Sequence, residues 1–163
     1  MYPYNYIHYL NFPKLPDDIF STINFNIGDY IAKSKGSFNP DKPEEYPDVY
    51  TWSDSFNEQI NKWGQENICP TVYFAFQIFT GDVPLHKDVN ALNNSKSLLK
   101  LNYVLLTGGD DVYTEFFDED KTTKLASYKI DQHRWHVLKS DAYHRVVGVD
   151  SGQVRFSITC KMF

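Results

Sequence analysis

Between Thr71 and Phe163 apolar and polar residues alternate in short runs, broken at short intervals by Gly, Asp and Ser. Successive side chains of an extended chain point to opposite faces, so this alternation predicts half-buried strands. The runs are TVYFAFQIF, LLKLNYVLL, VYTEFF, ASYKI, RWHVLK, HRVVGV and VRFSITCKMF. Turn-forming residues separate several of them, at Thr80-Gly81-Asp82, Thr107-Gly108-Gly109, the acidic DEDK of 118–121 and Asp150-Ser151-Gly152. Strands of this kind joined by short turns predict an all-β barrel or double-sheet roll.

The N-terminal part follows a different period. Leu15-Pro16-Asp17-Asp18 has the acids and the proline of a helix start, with Ile19, Phe20 and Ile23 on one face after it. Phe56, Ile60 and Trp63 recur at helical spacing behind Ser55-x-x-Glu58, a capping-box pattern, and predict a helix from about Ser53 to Trp63. Residues 1–13 predict an extended edge or arm, and 34–51, with Pro40, Pro43 and Pro47, a surface loop. The expected organisation is a single domain, 1–163: a helical and irregular support over 1–67 and a β core over 68–163.

Composition narrows the class. A chain of 163 residues can build one real core, and 42% hydrophobic with 17% aromatic residues argues for a folded protein. A net charge of −5 gives no general pull toward nucleic acid or an anionic membrane. The two cysteines, Cys69 and Cys160, form no CxxC and read as reduced thiols of a cytoplasmic protein. The first residues lack the basic and apolar regions of a secretory signal, and no apolar run approaches the ~18 residues of a spanning helix.

The chemistry begins on the last strand. Arg155, Ser157, Thr159 and Lys161 share one face; Val154, Phe156, Ile158, Cys160 and Met162 share the other. A guanidinium and two hydroxyls on a core strand suit the wall of a polar cavity that holds an anion. Earlier, His86 and Asp88 lie two apart and point the same way in extended backbone, and His144 on a later strand supplies a third ligand. Two His and one carboxylate leave three positions open on an octahedral ion, the arrangement of non-haem iron(II) oxygenases.

HKD, then His144, then Arg155-Phe156-Ser157 resembles the iron(II)- and 2-oxoglutarate-dependent dioxygenase superfamily, over about 71–163. Asp88 and His144 are 56 positions apart, and His144 and Arg155 are 11 apart, as in that family's pattern. SDAYHRVVGV and LNYVLLTGG before VYTEFF resemble the compact prolyl-hydroxylase-like members, while HRVV…RFS resembles the plant and isopenicillin-synthase-like branch. The resemblance implies a double-stranded β-helix of the jelly-roll or cupin type. It implies that His86, Asp88 and His144 hold Fe(II), that Arg155 pairs with the distal carboxylate of 2-oxoglutarate, and that Ser157 and Tyr103 assist. It also implies a reaction consuming O2 and 2-oxoglutarate, releasing succinate and CO2, and hydroxylating a peptide or small-molecule substrate.

Other readings stand beside it. Tyr103 also fits simple packing between Leu101 and Leu105. His133 and His136 fit surface or packing roles, with a substrate-side role as the alternative. Gln77, Tyr73 and Phe76 are cavity candidates, but alternation does not choose the inward face. Zinc or manganese in a cupin-like protein without 2-oxoglutarate turnover, or a sugar-binding sheet roll, are the competing functions; Arg155 with Ser157 favours the oxygenase. Nucleic acid and membrane are not expected partners, and a homodimer is one way to close a site with no C-terminal lid.

Overall fold

A computed structural model describes residues 5–33, 48–52, 58–88 and 99–162. The strands are β1 (Ile7–Tyr9), β2 (Val49–Trp52), β3 (Ala75–Phe79), β4 (Val83–His86), β5 (Leu99–Thr107), β6 (Tyr113–Phe117), β7 (Lys124–Tyr128), β8 (Trp135–Lys139), β9 (Tyr143–Val147) and β10 (Arg155–Met162). The helices are α1 (Asp17–Phe20), α2 (Ile27–Lys33) and α3 (Glu58–Asn67). The protein is mainly β, with two antiparallel sheets arranged as a sandwich. The larger sheet runs β1-β8-β5-β10-β3-β2 and the smaller β4-β9-β6-β7. From β3 to β6 successive strands alternate between the sheets; β7 stays in the smaller one, and β8, β9 and β10 alternate again.

The two faces of the larger sheet differ: the outer is apolar, and the inner mixes apolar with polar side chains. Its outer face carries Leu101, Tyr103, Leu105, Trp135, Phe156 and Ile158, which the N-terminal elements cover with Leu15, Ile60 and Trp63. Trp63 stacks on Trp135 at 6.0 Å, and the Trp135 indole N–H donates to the Pro13 carbonyl at 2.9 Å. Complete burial of a Phe156 or an Ile158 contributes about 2 kcal/mol each. Between the sheets lie two smaller apolar clusters, one with Val104, Phe116 and Leu138, the other with Val49, Phe79, Val83, Val112 and Val146. Polar side chains occupy the space they border, and there the cavity opens.

A β-bulge sets which residues reach it. Phe156 pairs with Leu106 and Ser157 with Val104, so Leu105 and Leu106 together oppose Phe156. The extra residue lets Val104 share the cavity face with Ser157, while Leu105 and Leu106 both pack outward. Gly108, at φ +89, ends β5 where a Cβ would come within 2.9 Å of the Arg155 backbone nitrogen. Only glycine fits both the dihedral and the approach.

The N-terminal expectations meet the structure unevenly. The arm is β1, which pairs with β8 at the sheet edge, and α3 covers Glu58–Asn67, continuing past the expected end at Trp63. Ser55 of the expected cap lies outside the described residues. The helix after Pro16 is a single turn, α1, because Asn24 and Asn26 form a local hydrogen-bonded turn before α2 starts. Within 34–51, residues 34–47 lie outside the described residues, but Val49–Trp52 is a strand that pairs with β3, so the loop ends sooner than composition suggested. VPLH, read as a connection, is β4. No described helix is long and apolar enough to cross a membrane.

Candidate metal centre

His86 ends β4 and His144 sits on β9, and the two are register partners across that antiparallel pair. β4 is an edge strand of the smaller sheet, which tolerates Pro84 and its missing N–H. The register breaks between Val83 and His86, and this irregularity turns His86 toward the cavity. Asp88 follows just beyond the strand, with its main-chain N–H donating to the Ser140 carbonyl at 2.9 Å. The HxD segment is thereby fastened to the β8–β9 turn that leads into His144.

One ligand atom from each of His86, Asp88 and His144 lies within 4.8 Å of the others. Each histidine is oriented by its own backbone. His86 Nδ1 lies 2.8 Å from the Pro84 carbonyl and His144 Nδ1 2.9 Å from the Ala142 carbonyl. A carbonyl oxygen only accepts, so Nδ1 is the donor in both rings and Nε2 is the nitrogen left to face a metal. That is how metal-ligating histidines are held. Burial, followed by the neighbouring His86, pushes the His144 pKa down to about 3, so its ring is neutral near pH 7.

Asp88 is fully buried, and among the described residues neither of its oxygens has a hydrogen-bond partner. Its contacts are looser: Oδ1 is 3.4 Å from His86 Nε2 and Oδ2 is 3.5 Å from Lys100 Nζ. Burial alone would raise its pKa; the Lys100 ammonium and then the His86 ring outweigh it and hold the carboxyl well below the usual carboxylate range. A buried carboxylate without hydrogen bonds, beside two lone pairs, is a donor set that fits a divalent cation.

Across the cavity, the larger sheet presents Arg155 and Ser157 from β10. Arg155 is 6% exposed, and among the described residues no acid pairs with it. Burial lowers its pKa to about 10, so it remains charged near pH 7. Among the described residues, the wall thus holds a guanidinium without a counter-ion. Arg145 faces away, paired with Glu115 at 2.7 Å on the outer side of the smaller sheet.

Five of the six residues singled out from the sequence therefore line or adjoin one cavity, and Tyr103 does not. Its hydroxyl accepts the Leu15 N–H at 3.3 Å, and its ring packs on Trp135 at 4.7 Å, on the outer face. The residues of β5 that do face inward are Lys100, Asn102 and Val104. His136 and Gln77 also line the cavity, whereas Phe76 joins the outer core and Tyr73 is exposed. Lys100 and Asn102 were not singled out from the sequence, and His136 was given a substrate-side role only as the alternative. The signal for the first two was a Lys and an Asn on one face of an otherwise apolar strand.

No protein-family model matches the sequence, and no curated protein matches it. Among solved structures the chain is similar to Peruvianin-I, a cysteine peptidase from Thevetia peruviana latex, with a TM-score of 0.44 and 9% identity over 90% of this chain and 74% of that one. It is also similar to ThoJ, a non-haem monooxygenase. The TM-score is 0.38 with 12% identity over 86% of this chain and 60% of the nickel complex. For apo ThoJ it is 0.36 with 11% identity, over 88% of this chain and 63% of that one. The chain spans less than two thirds of ThoJ, and likeness at these scores assigns it neither a family nor a chemistry.

Proposed function

We propose that this protein is an iron(II)- and 2-oxoglutarate-dependent dioxygenase on a double-stranded β-helix, hydroxylating a peptide or small-molecule substrate with release of succinate and CO2. The observation that carries this reading is one cavity bounded by two chemistries: a largely buried His-Asp-His cluster on one side and, on the other, a buried Arg155 that no acid among the described residues pairs with. The alternation of β3 to β10 between two four-strand sets supports the fold assignment. The single-domain reading goes with it: Leu15, Ile60 and Trp63 cover the outer face of the larger sheet, while β1 and β2 add strands at its two edges.

In this reading His86, Asp88 and His144 hold the iron, which when bound supplies the redox chemistry that activates dioxygen. The protein's own work is positioning and electrostatics. Nδ1 protonation directs both Nε2 lone pairs to one point. Arg155 offers a planar fork of donors that matches a carboxylate, and its burial strengthens that contact by excluding water. Ser157, on the same face, adds a hydroxyl donor. Tyr103 is left out of the site, since its hydroxyl is engaged on the opposite face. The three positions left by two imidazoles and one carboxylate admit a chelating 2-oxo acid and dioxygen together.

The test is binding followed by turnover. Protein loaded anaerobically with Fe(II) binds 2-oxoglutarate, seen as a visible charge-transfer band or by calorimetry, and forms succinate under air. Loss of both in Arg155→Ala, with metal binding retained, is the expected pattern. No 2-oxoglutarate binding by the metal-loaded wild type would overturn the reading.

A further inference from the structure

The dioxygenase reading does not account for Lys100. Its side chain is 5% exposed, deep between the sheets, with its ammonium 3.5 Å from Asp88 Oδ2. Among the described residues Asp88 is its only acidic partner. The backbone gives it little freedom, because β5 is paired on both sides and Lys100 lies opposite Leu138 on β8 and Lys161 on β10. The two oxygens of Asp88 therefore face different groups: Oδ1 lies beside the His86 Nε2 lone pair, and Oδ2 beside a fixed ammonium.

We propose that Lys100 is a positioning residue that holds Oδ2 of Asp88, so that the metal receives a single carboxylate oxygen, Oδ1. The inference rests on the metal reading of His86, Asp88 and His144. An ammonium has three donors and no acceptor, so it cannot itself ligate; it can only compete for the carboxylate. Set beside a divalent cation it repels it, which lowers metal affinity. The return is coordination space. A carboxylate bound through one oxygen leaves three positions of an octahedron open beside two imidazoles, and one bound through both leaves two. A chelating 2-oxo acid fills two, so only the first arrangement leaves a place for dioxygen. Lys100 keeps that place free.

Co(II) is the probe, read by X-ray absorption or crystallography of the loaded full chain and by titration. In the wild type Asp88 should bind Co(II) through Oδ1 alone, with Oδ2 beside Lys100. Lys100→Met should bring the second oxygen onto the metal and tighten Co(II) binding roughly tenfold or more, because the competing charge is gone. Lys100→Arg, which keeps the charge, should retain the one-oxygen arrangement. A residue that merely props β5 would have the opposite signature, with weaker metal binding in Lys100→Met and unchanged coordination, and that result overturns the proposal. So does two-oxygen binding in the wild type, a measurement that decides the matter even if Lys100→Met does not fold; it leaves the metal centre standing. Absence of Co(II) binding by the wild type overturns the metal centre and this inference together.

Discussion

His86 and His144 lie opposite each other across the β4–β9 pair, ring centroids 4.4 Å apart, and each gives its Nδ1 proton to the carbonyl two residues before it. The symmetry leaves two Nε2 lone pairs converging on Asp88. Replacing either ring by alanine removes one of the three candidate ligands without disturbing the outer core. Metal affinity is expected to fall by more than the 10- to 100-fold typical of losing an outer-shell partner. Stoichiometric Fe(II) or Co(II) retained by His144→Ala after dialysis would count against the cluster as a metal centre.

Asp88→Asn keeps the shape of the side chain and removes the counter-ion of Lys100. Stranding a buried ammonium costs about 3–5 kcal/mol. The metal-free variant should therefore melt well below the metal-free wild type, in the presence of a chelator. Equal melting temperatures would show that Lys100 does not depend on Asp88.

Arg155 predicts the reverse sign. No acid among the described residues compensates its burial, so Arg155→Met should leave stability unchanged or raise it by about 1–3 kcal/mol. The same change should weaken 2-oxoglutarate binding by about 100-fold or more. Arg155→Lys should restore little of it, because a point charge does not reproduce the planar fork. Denaturant midpoints and ligand calorimetry on the same samples separate the two effects.

Burial pushes the His136 pKa down to about 4, whereas an unfolded histidine titrates near 6.5. Below 6.5 the unfolded chain takes up a proton that the folded one refuses. Stability of the metal-free protein should thus fall as pH drops from about 6.5 to about 4, then stop falling on this account. His144, pushed down to about 3 by burial, extends the same loss further into acid. Removing His136 with His136→Gln should flatten the profile over 6.5–4, by up to roughly 3 kcal/mol in urea titrations. An unchanged slope would mean that His136 gains a proton in the folded state.

Gly108 joins two constraints, a φ of +89 and a Cβ position 2.9 Å from the Arg155 backbone nitrogen. Gly108→Ala should cost about 1–3 kcal/mol and displace the start of β10. Because that shift moves Arg155, ligand affinity should decline more than metal affinity. Parallel titrations with Co(II) and 2-oxoglutarate would expose any other order.

How much of this was legible beforehand depends on what fixes a face. On β10 the polar set Arg155, Ser157 and Thr159 stood out against Phe156 and Ile158, and period-two alternation sorted it correctly. On β5 the same alternation gives two faces but no sign saying which is inward. Tyr103 drew attention through the family resemblance, although Lys100 and Asn102 were the inward pair. A lysine in a strand reads as a solvent-facing residue until a buried carboxylate is found opposite it, and that carboxylate comes from the other sheet. β4 was not among the expected strands: VPLH is only four residues long and carries a proline, a combination that suits a strand at a sheet edge, which is where β4 lies.

Pro84 has a further consequence, for association rather than chemistry. Its carbonyl orients His86, and every other residue type has that carbonyl too, so metal binding does not explain the ring. What the ring removes is one main-chain donor from β4, whose strand neighbour among the described residues is β9 alone, so this edge has one N–H fewer to offer a strand from another molecule. The rim beside the candidate metal centre is thus a poor template for edge-to-edge growth, and the break in register beside it makes it poorer still.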